Sequence, residues 1–458
     1  MDRLSQKLFR KKTFLALLII FFCAFVWLKD GIGVVDFDTD FARDLMEISN
    51  ISQGDVVWLG PWLQLGFNTS PSYYYFFYPA VELGSGHPVS MVLFNILIAS
   101  SSVGLFSWLA MQRFGKFGAL AGLILGLSPW LMQTSLHPGN GYTYALFTLL
   151  ALTSLYFQLP LFLSSLFVGM ASSFHPAGFL LLPFWLWSFW ERRRQLGEIL
   201  LSLLLFLSPW APLIGFEVIT KGLLIRTFLS QPQSAGIYLS PSFANLQLVA
   251  QTLGIHALVL LMLLFVGLYK SKDLKLGLGL GLGTLLLILI SLLSELETRY
   301  IFSLAILIQF SLVLTLIRFK PGKLILVIWG VWLVLISPLF NSRLEADRTI
   351  TQVVQVVDSF EAEFSYLKDN QLAVVGALSK DTPVPQADDY RALLRFRGFQ
   401  VAATNANNQA DYLVMFIETP DINWETWINY EIGLFGEKQL VAADEFGSTK
   451  VFIFEKVD

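Results

Sequence analysis

The 458-residue chain contains little charge, few histidines and one cysteine. Charged residues make up 14% of the sequence, against about 25% in an average soluble domain. Together with a hydrophobic content of 55%, this excludes an intrinsically disordered chain and one ordinary soluble domain. The net charge of −3 provides no basic field for a nucleic-acid partner. The single Cys23 excludes a disulfide framework, a zinc site built from cysteines and a cysteine nucleophile.

The sequence also lacks the signatures of nucleotide binding and of internal duplication. The alternating Gly and Leu residues of 277–283 follow no predicted strand and precede no Lys-Ser or Lys-Thr pair, so they indicate close helix packing, not a phosphate-binding loop. We find no internal or inverted repeat. This argues against a secondary transporter, because many transporters are built from such repeats.

Long apolar runs, by contrast, recur along the first 340 residues. A bilayer-spanning helix needs about 20 mostly apolar residues, so these runs predict about eleven membrane spans. Lys and Arg concentrate in the loops on one side of this arrangement, which places the N-terminus in the cytoplasm and the C-terminus outside. The predicted spans centre on residues 13–29, 88–110, 117–136, 142–159, 160–175, 177–190, 197–216, 253–269, 274–293, 299–317 and 322–340.

Two segments are too polar to lie in a membrane. The first outer loop, residues 29–87, is long and acidic. The tail from residue 341 alternates short helical patterns with short apolar strands and ends in a β-hairpin over Lys438–Lys456. The predicted fold is therefore mainly α, with a polytopic membrane domain over residues 1–340 and a small extracytoplasmic α/β domain over residues 341–458.

The first outer loop opens with an acidic motif that runs from Asp36 to Asp44. Its later part has helical spacing, so Asp40, Arg43 and Asp44 share one face of a helix. A carboxylate beside an arginine at an apolar boundary is suited to general-base chemistry, because burial raises its pKa and the cation lowers it. The alternative interpretation is a solvated acidic face that keeps the loop outside the membrane.

A cluster of tyrosines follows in the same loop. Leu59-Gly60-Pro61 precedes Ser70-Pro71-Ser72, and Tyr73, Tyr74 and Tyr75 come next. Tyrosines near a membrane interface are typical of an aromatic belt. They would equally suit a sugar, whose C–H faces stack on aromatic rings while its hydroxyls meet the phenol groups.

In their order and membrane side, these motifs resemble those of the GT-C membrane glycosyltransferases. The nearest branch is similar to bacterial protein O-mannosyltransferases and lipid A aminoarabinose transferases. The residues that carry the resemblance are Asp40-Phe41-Ala42-Arg43-Asp44, matching Asp-x-Ala-Arg-Asp; Gly60-Pro61 and Pro71 to Tyr75, matching Gly-Pro then Pro-x-Tyr-Tyr-Tyr; Phe174-His175 and Phe216-Glu217; and Glu297-Thr298-Arg299-Tyr300, which looks like the family's Arg-Tyr element. The resemblance covers the whole membrane part.

The resemblance implies a reaction in which a sugar moves from a polyprenyl-phosphate carrier to a lipid, protein or glycan acceptor on the extracytoplasmic face, with inversion at the anomeric centre. It implies Asp40 as the general base. Many members place a second acidic residue directly after this aspartate, whereas Phe41 follows here, so Asp38 stays open as the alternative base. Arg299 would bind the lipid phosphate and stabilise the leaving group.

The remaining expected contacts follow from the same resemblance and from residue chemistry. Arg43 and His175 are the further candidates for binding the donor phosphate. Three alternating carboxylates also suit a divalent metal cation held against a phosphate, although some family members do without one. The candidate sugar and acceptor contacts are Tyr73, Tyr74, Tyr75, Asp44, Glu217, Glu297 and Tyr300, and the candidate metal ligands are Asp36, Asp38 and Asp40.

The resemblance further implies a multi-pass protein of a bacterial plasma membrane, whose donor lipid enters from the bilayer. Two other classes of function stay open. A transporter or flippase of lipid-linked saccharides would need ionisable residues at mid-membrane depth. A non-catalytic membrane protein with a ligand-binding outer domain would leave the gathering of carboxylates and Arg299 at one surface unexplained.

Overall fold

The computed structural model describes residues 3–32, 35–63, 67–192, 196–230, 298–318, 320–341, 348–378, 387–419 and 430–457. The chain divides into two compact units. The helical unit consists of Met1–Ile32, Val57–Phe76 and Val92–Glu345. The α/β unit consists of Gly33–Val56, Phe77–Met91 and Ala346–Asp458, so it includes parts of the first outer loop besides the tail.

Helices dominate the described residues up to Asn341. Two short strands, β1 (Trp62–Leu63) and β2 (Phe67–Asn68), form an antiparallel pair in the helical unit. Two 3-10 turns, Pro176–Leu181 and Ser208–Trp210, interrupt the helical run. The α-helices that lie wholly or partly in this unit are Arg3–Gly31, Ser72–Leu83, Val89–Phe114, Lys116–Gly126, Pro129–Leu136, Asn140–Tyr156, Leu161–Phe174, Leu182–Glu191, Leu196–Leu207, Ala211–Ile219, Leu223–Ser230, Thr298–Leu316 and Lys320–Asn341.

Several of these helices match predicted membrane spans. Among the described residues, Phe9–Lys29, Val89–Phe114 and Leu196–Ile219 are long and apolar enough to cross a bilayer. A fourth span arises if Lys116–Gly126 and Pro129–Leu136, which meet at a bend of 57°, count as one. The bend falls where Pro129 begins the second helix, since proline lacks the amide that would continue the first. The predicted total of about eleven spans stays a prediction, and the spans centred on 253–269 and 274–293 lie outside the described residues.

Pro176 ends one helix and starts the next segment, as the sequence suggests. A residue before proline is disfavoured in the α-helical region, and His175 has extended backbone angles of φ −152° and ψ 138°. The 3-10 turn that follows packs against the preceding helix at Gly178, where a Cβ would lie 2.4 Å from the carbonyl carbon of Ala171. This close approach fixes His175 at the bend between the two segments.

The α/β unit contains a five-stranded mixed sheet. Its strands are β3 (Gln371–Ala377), β4 (Gln400–Val401), β5 (Tyr412–Ile417), β6 (Lys438–Phe446) and β7 (Thr449–Lys456), arranged in the order β4-β3-β5-β7-β6. β3 runs parallel to β4 and β5, while β7 is antiparallel to β5 and β6. The central β3 and β5 are almost continuous runs of buried apolar residues, as expected for parallel strands covered on both faces.

The tail's sequence predicts a helix over residues 349–367, a strand over 372–378, a helix over 388–398, a strand over 411–418 and the hairpin over 438–456. The corresponding helices and strands of the structure begin and end within a few residues of these bounds. The described helices are Ile350–Phe364, Asp388–Phe396 and Tyr430–Phe435. The first of them begins with a capping box, in which the Thr349 hydroxyl accepts from Gln352 N–H and the Gln352 side chain accepts from Thr349 N–H. A short helix is predicted over Asn423–Tyr430; residues 423–429 of it lie outside the described residues.

The first outer loop joins this unit through backbone pairing and helix packing. Asp36 forms an antiparallel bridge with Thr349, and Phe37 N–H donates to the Arg348 carbonyl at 3.0 Å. The following helix, Thr39–Ser52, packs against the Asp388–Phe396 helix. The loop's acidic motif is thereby held at the start of a helix in the α/β unit.

The core of the α/β unit contains a fully buried arginine. The Arg391 guanidinium donates to the Val374 carbonyl at 2.8 and 2.6 Å, to the Thr404 hydroxyl, and to Glu431 at 2.6 Å. Arg391 and Glu431 are both almost completely buried. Removal of one member would leave the other charged and unpaired in the core. The stability of the α/β unit therefore depends on both residues.

We therefore expect Arg391→Leu to lower the free energy of unfolding by about 3–5 kcal/mol. The matched control is Arg397→Leu, because Arg397 pairs with a half-exposed Asp358 and its loss is expected to cost less than about 1 kcal/mol. Thermal unfolding and protease resistance of the purified chain measure both. Equal destabilisation by the two variants would contradict this account of the core.

Candidate functional site

A cleft of about 1150 Å³ lies entirely within the α/β unit. Its volume slightly exceeds the usual range for small-molecule sites, which is about 300 to 1,000 Å³. Two walls provide its polar groups. The first wall comes from the outer loop and carries Asp36, Asp38, Asp40 and Arg43; the second comes from the tail and carries Arg348, Asp388, Asp389, Tyr390 and Glu418.

The strand order explains why a cleft forms here. The chain leaves β3 toward β4 on one side of the sheet, and it leaves β5 toward β6 and β7 on the other side. The two connections diverge at the carboxyl ends of β3 and β5, which is where open α/β sheets bind ligands. Leu378 directly follows β3 and Glu418 directly follows β5, and both line the cleft.

The first wall is the N-terminal turn of the Thr39–Ser52 helix. Asp38 is the N-cap of this helix, and its Oδ1 accepts from Phe41 N–H at 2.7 Å. Asp40 lies in the first turn, and its Oδ1 accepts from Arg43 Nη1 at 2.8 Å. The Asp40 side chain is 33% exposed, so this carboxylate faces the cleft while it is held by a cation.

Asp44 lies behind this pair. Its Oδ1 accepts from Arg43 Nε at 3.1 Å and from Nη2 at 2.7 Å. Burial raises the pKa of Asp44 to about 7; Arg43 opposes this shift, and Asp40 adds to it. Complete burial argues against the expected direct contact between Asp44 and a sugar, because sugar hydroxyls could not reach this carboxylate without rearrangement of the helix.

Arg348 organises the second wall. Its Nε donates to both Glu418 oxygens at 2.9 and 2.7 Å, and its Nη2 pairs with Asp389. The Tyr390 hydroxyl donates to Glu418 at 2.7 Å, and the Tyr390 ring stacks on Phe416 at 3.9 Å. Burial raises the pKa values of Glu418 and Asp388, although Arg348 opposes the shift of Glu418. The cleft therefore disfavours further negative charge.

The predicted tyrosines lie in the helical unit. Tyr73 is buried, packs against Phe174 at 5.4 Å, and donates its hydroxyl to the Pro138 carbonyl. Tyr74 is also buried. The Tyr75 hydroxyl donates to the Val57 carbonyl at 3.0 Å. These three side chains pack the loop in this structure, so their expected contact with a sugar stays a prediction that burial argues against for Tyr73 and Tyr74.

Of the other predicted residues, His175 and Glu217 have described side chains in the helical unit. His175 is buried, and its Nδ1 accepts from Ala177 N–H at 3.2 Å, so a neutral ring carries its proton on Nε2. Glu217 caps the Leu223–Ser230 helix by accepting from Leu224 N–H at 2.9 Å, which indicates a structural role. Arg299 and Tyr300 begin the Thr298–Leu316 helix; their side chains and Glu297 lie outside the described residues.

The structure does not form the expected metal site from Asp36, Asp38 and Asp40. Throughout the described ranges, no three His, Cys, Asp or Glu side chains stand close enough together to hold a metal ion. The Asp38 carboxylate is directed to the helix amides, and Asp40 is directed to Arg43. Use of a divalent cation stays an untested expectation.

Arg348, Asp389, Tyr390 and Glu418 line the cleft although no sequence motif points to them. One signal was available for Glu418: a carboxylate that directly follows an apolar strand lies at the sheet edge where parallel α/β folds place ligands. No comparable signal exists for Arg348, because its partners are Asp389 and Glu418, 41 and 70 residues away along the chain.

No family model and no curated protein matches this chain. Among solved structures, the chain is similar to ArnT from Cupriavidus metallidurans bound to undecaprenyl phosphate, with a TM-score of 0.60 and 14% identity over 96% of this chain and 98% of that one. ArnT in the apo state gives a TM-score of 0.58 and 13% identity over 96% and 97%. At this identity the likeness concerns the fold: this chain has the GT-C fold of ArnT, so the predicted fold class is confirmed, while the number of membrane spans stays a prediction.

The buried Asp44 generates a pH-dependent stability. A carboxyl whose pKa rises from 3.8 to about 7 on folding favours the folded state at low pH, and this contribution is lost as the pH rises from about 4 to 7. We expect Asp44→Asn to be more stable than the wild type at pH 8, on the order of 3 kcal/mol, and nearly equal at pH 4.

Thermal unfolding across this pH range measures the effect. Asp358→Asn serves as the control, because it removes a carboxylate that is 53% exposed instead of one that is buried. A slope that persists unchanged in Asp44→Asn would show that Asp44 does not take up a proton on folding.

Proposed function

We propose that this chain is a membrane glycosyltransferase that moves a sugar from a polyprenyl-phosphate carrier to an acceptor hydroxyl on the extracytoplasmic face. One observation carries the proposal: in a chain with the fold of ArnT, an Asp40–Arg43 pair opens onto a large polar cleft. The carrier is proposed because ArnT has been crystallised with undecaprenyl phosphate. The sugar and the acceptor are open within this proposal.

In the proposed reaction, Asp40 removes the proton of the acceptor hydroxyl while that oxygen attacks the anomeric carbon of the donor. The bond between the anomeric carbon and the phosphate oxygen breaks, and polyprenyl phosphate leaves with the electron pair. A single displacement of this kind inverts the anomeric configuration. The proton on Asp40 passes to solvent before the next turnover.

Hydrogen bonding favours Asp40 over Asp38 as the base. Asp38 satisfies an otherwise unpaired amide at the helix start, a role that stabilises helices by about 1 kcal/mol. Asp40 makes an i,i+3 pair with Arg43 on the face that lines the cleft, so it combines orientation with access. Asp38 is accordingly proposed as the helix cap.

The donor phosphate is proposed to bind Arg299, as the family resemblance implies, because a guanidinium makes paired hydrogen bonds to phosphate oxygens. Arg43 suits this role less well, since three of its N–H groups already contact Asp40 and Asp44. His175, with a donor on Nε2 when neutral, is proposed to assist at the phosphate or at a sugar hydroxyl.

We expect Asp40→Asn to reduce turnover by about 10²- to 10⁴-fold, the usual contribution of a general base. The matched control is Asp38→Asn, because asparagine caps helices as well as aspartate does and should keep most activity. Turnover is measured as release of undecaprenyl phosphate from a panel of undecaprenyl-phosphate-linked pentoses and hexoses, with bacterial envelope lipids as acceptor. Loss of activity in Asp38→Asn but not in Asp40→Asn would indicate that Asp38 is the base.

We expect Arg299→Ala to weaken binding of undecaprenyl-phosphate sugars by at least about 10-fold, since it removes a charge-assisted pair of hydrogen bonds. Native mass spectrometry of the purified chain measures binding without any need for an acceptor. Arg226→Ala provides the control, because Arg226 is exposed and bonds only to backbone carbonyls in the contacts described. Asp40→Asn should bind as the wild type does. Wild-type binding by Arg299→Ala would place the phosphate site elsewhere, and absence of binding to every lipid would refute the lipid-linked donor.

A further inference from the structure

Asp44 is buried in a way that packing does not explain. It lies one turn beyond Asp40 on the Thr39–Ser52 helix and is 0% exposed. Its Oδ1 is bonded to Arg43, while its Oδ2 is buried and has no hydrogen-bond partner among the described residues. A buried acid with an unmatched oxygen costs stability, which leucine would avoid.

The geometry of Arg43 shows what Asp44 does. Neighbouring residues on a helix do not ordinarily face each other, yet Arg43 folds back so that Nε and Nη2 both donate to Asp44. The opposite corner of the guanidinium, Nη1, is thereby directed to Asp40 at 2.8 Å. The contact with Asp44 therefore restricts the rotamers of an arginine side chain that is 30% exposed.

We propose that Asp44 is a positioning residue, which holds the Arg43 guanidinium against Asp40. The ionisation of Asp44 controls how strongly Arg43 lowers the proton affinity of Asp40. This inference rests on the proposed function, in which Asp40 is the base. When Asp44 is ionised, two carboxylates share one cation and Asp40 stays a good proton acceptor. When Asp44 is neutral, its negative charge no longer offsets the charge of Arg43, so Arg43 lowers the proton affinity of Asp40 more strongly and proton abstraction becomes harder.

The charges around Asp44 support a titration near neutrality. On its own segment, Arg43 lowers its pKa while Asp38 and Asp40 raise it, with burial as the largest cause of the rise to about 7. The neighbouring Glu47 is itself half-buried, with a raised pKa, and accepts from Asn50 at 3.1 Å. The helix packed against this face carries the charged residues Asp388, Asp389, Arg391 and Arg395.

The experiment compares pH profiles of turnover for the wild type, Asp44→Asn and Glu47→Gln, with the donor panel and acceptor lipids used for Asp40. In the wild type we expect kcat to rise with pH through a step near pH 7. Asp44→Asn, which is permanently neutral, should lack this step and have a kcat at pH 8 about 10-fold lower, with KM for the donor little changed. Glu47→Gln should keep the wild-type profile.

A second measurement is independent of activity. Infrared titration of the chain labelled with ¹³C-carboxyl aspartate should show a carboxyl that titrates near pH 7 and is absent in Asp44→Asn. Because Arg43 lowers the pKa of Asp44 and Asp40 raises it, Arg43→Gln should move this titration to higher pH and Asp40→Asn to lower pH. If neither Arg43→Gln nor Asp40→Asn shifts this titration, the proposed coupling of Asp44, Arg43 and Asp40 is wrong.

The outcomes separate the two proposals. If Asp40→Asn abolishes turnover while Asp44→Asn keeps both the step and the rate, Asp44 is only structural and the proposed function stands. If Asp40→Asn retains turnover, the base assignment fails, while the infrared result still decides whether Asp44, Arg43 and Asp40 are coupled. If Asp44→Asn loses activity equally at every pH and keeps the step, the ionisation of Asp44 has no part in catalysis.

Discussion

The cleft depends on one buried cation. Arg348 lies between the outer loop and the tail of the α/β unit, where it donates to the Phe37 carbonyl at 3.1 Å, pairs with Glu418 and Asp389, and stands 5.4 Å from the centre of the Tyr390 ring. Burial alone would lower the pKa of this guanidinium, but the two carboxylates outweigh burial and raise it. Arg348 therefore stays charged, and the segments that form the two walls remain joined at any pH where the carboxylates are ionised.

The charge balance of the cleft follows from this arrangement. Since Arg348 is committed to Asp389 and Glu418, it does not neutralise the carboxylates of the opposite wall. The residues that line the cleft include more carboxylates than guanidinium groups, so the cleft disfavours further negative charge. A phosphate group would meet repulsion here, whereas a neutral hydroxyl that gives up a proton would not. This is the electrostatic reason for proposing that the cleft binds the acceptor.

Local patterns in the sequence predict much of this fold. Apolar runs of membrane length and Pro176 predict helix boundaries within a few residues, and the alternating patterns of the tail do the same for its helices and strands. These boundaries depend on neighbouring residues and on the periodicity of apolar positions, which the sequence itself shows. The pairing of Asp40 with Arg43 is likewise predictable, because residues three apart on a helix lie on the same face. The likeness to ArnT confirms the fold class that the motifs indicate.

The remaining features of the site depend on contacts that spacing does not encode. Asp44 shares the polar face of its helix with Asp40 on a helical wheel, yet it is completely buried, since tertiary packing decides which residues of a face are exposed. Glu217 and Tyr73 occupy positions that match family patterns, but a helix amide and a backbone carbonyl satisfy them. A polar residue near a membrane boundary has several possible partners, and only the folded chain selects among them.

A base held by an arginine presents a physical conflict, because the cation that orients the carboxylate also weakens it as a proton acceptor. In the proposed function, the outer loop resolves this conflict by giving Arg43 two carboxylates instead of one. The three groups together carry one net negative charge when all are ionised, so the guanidinium orients Asp40 without fully neutralising it. The cost is a buried acid with one unmatched oxygen, which is the kind of local instability that proteins retain where chemistry requires it.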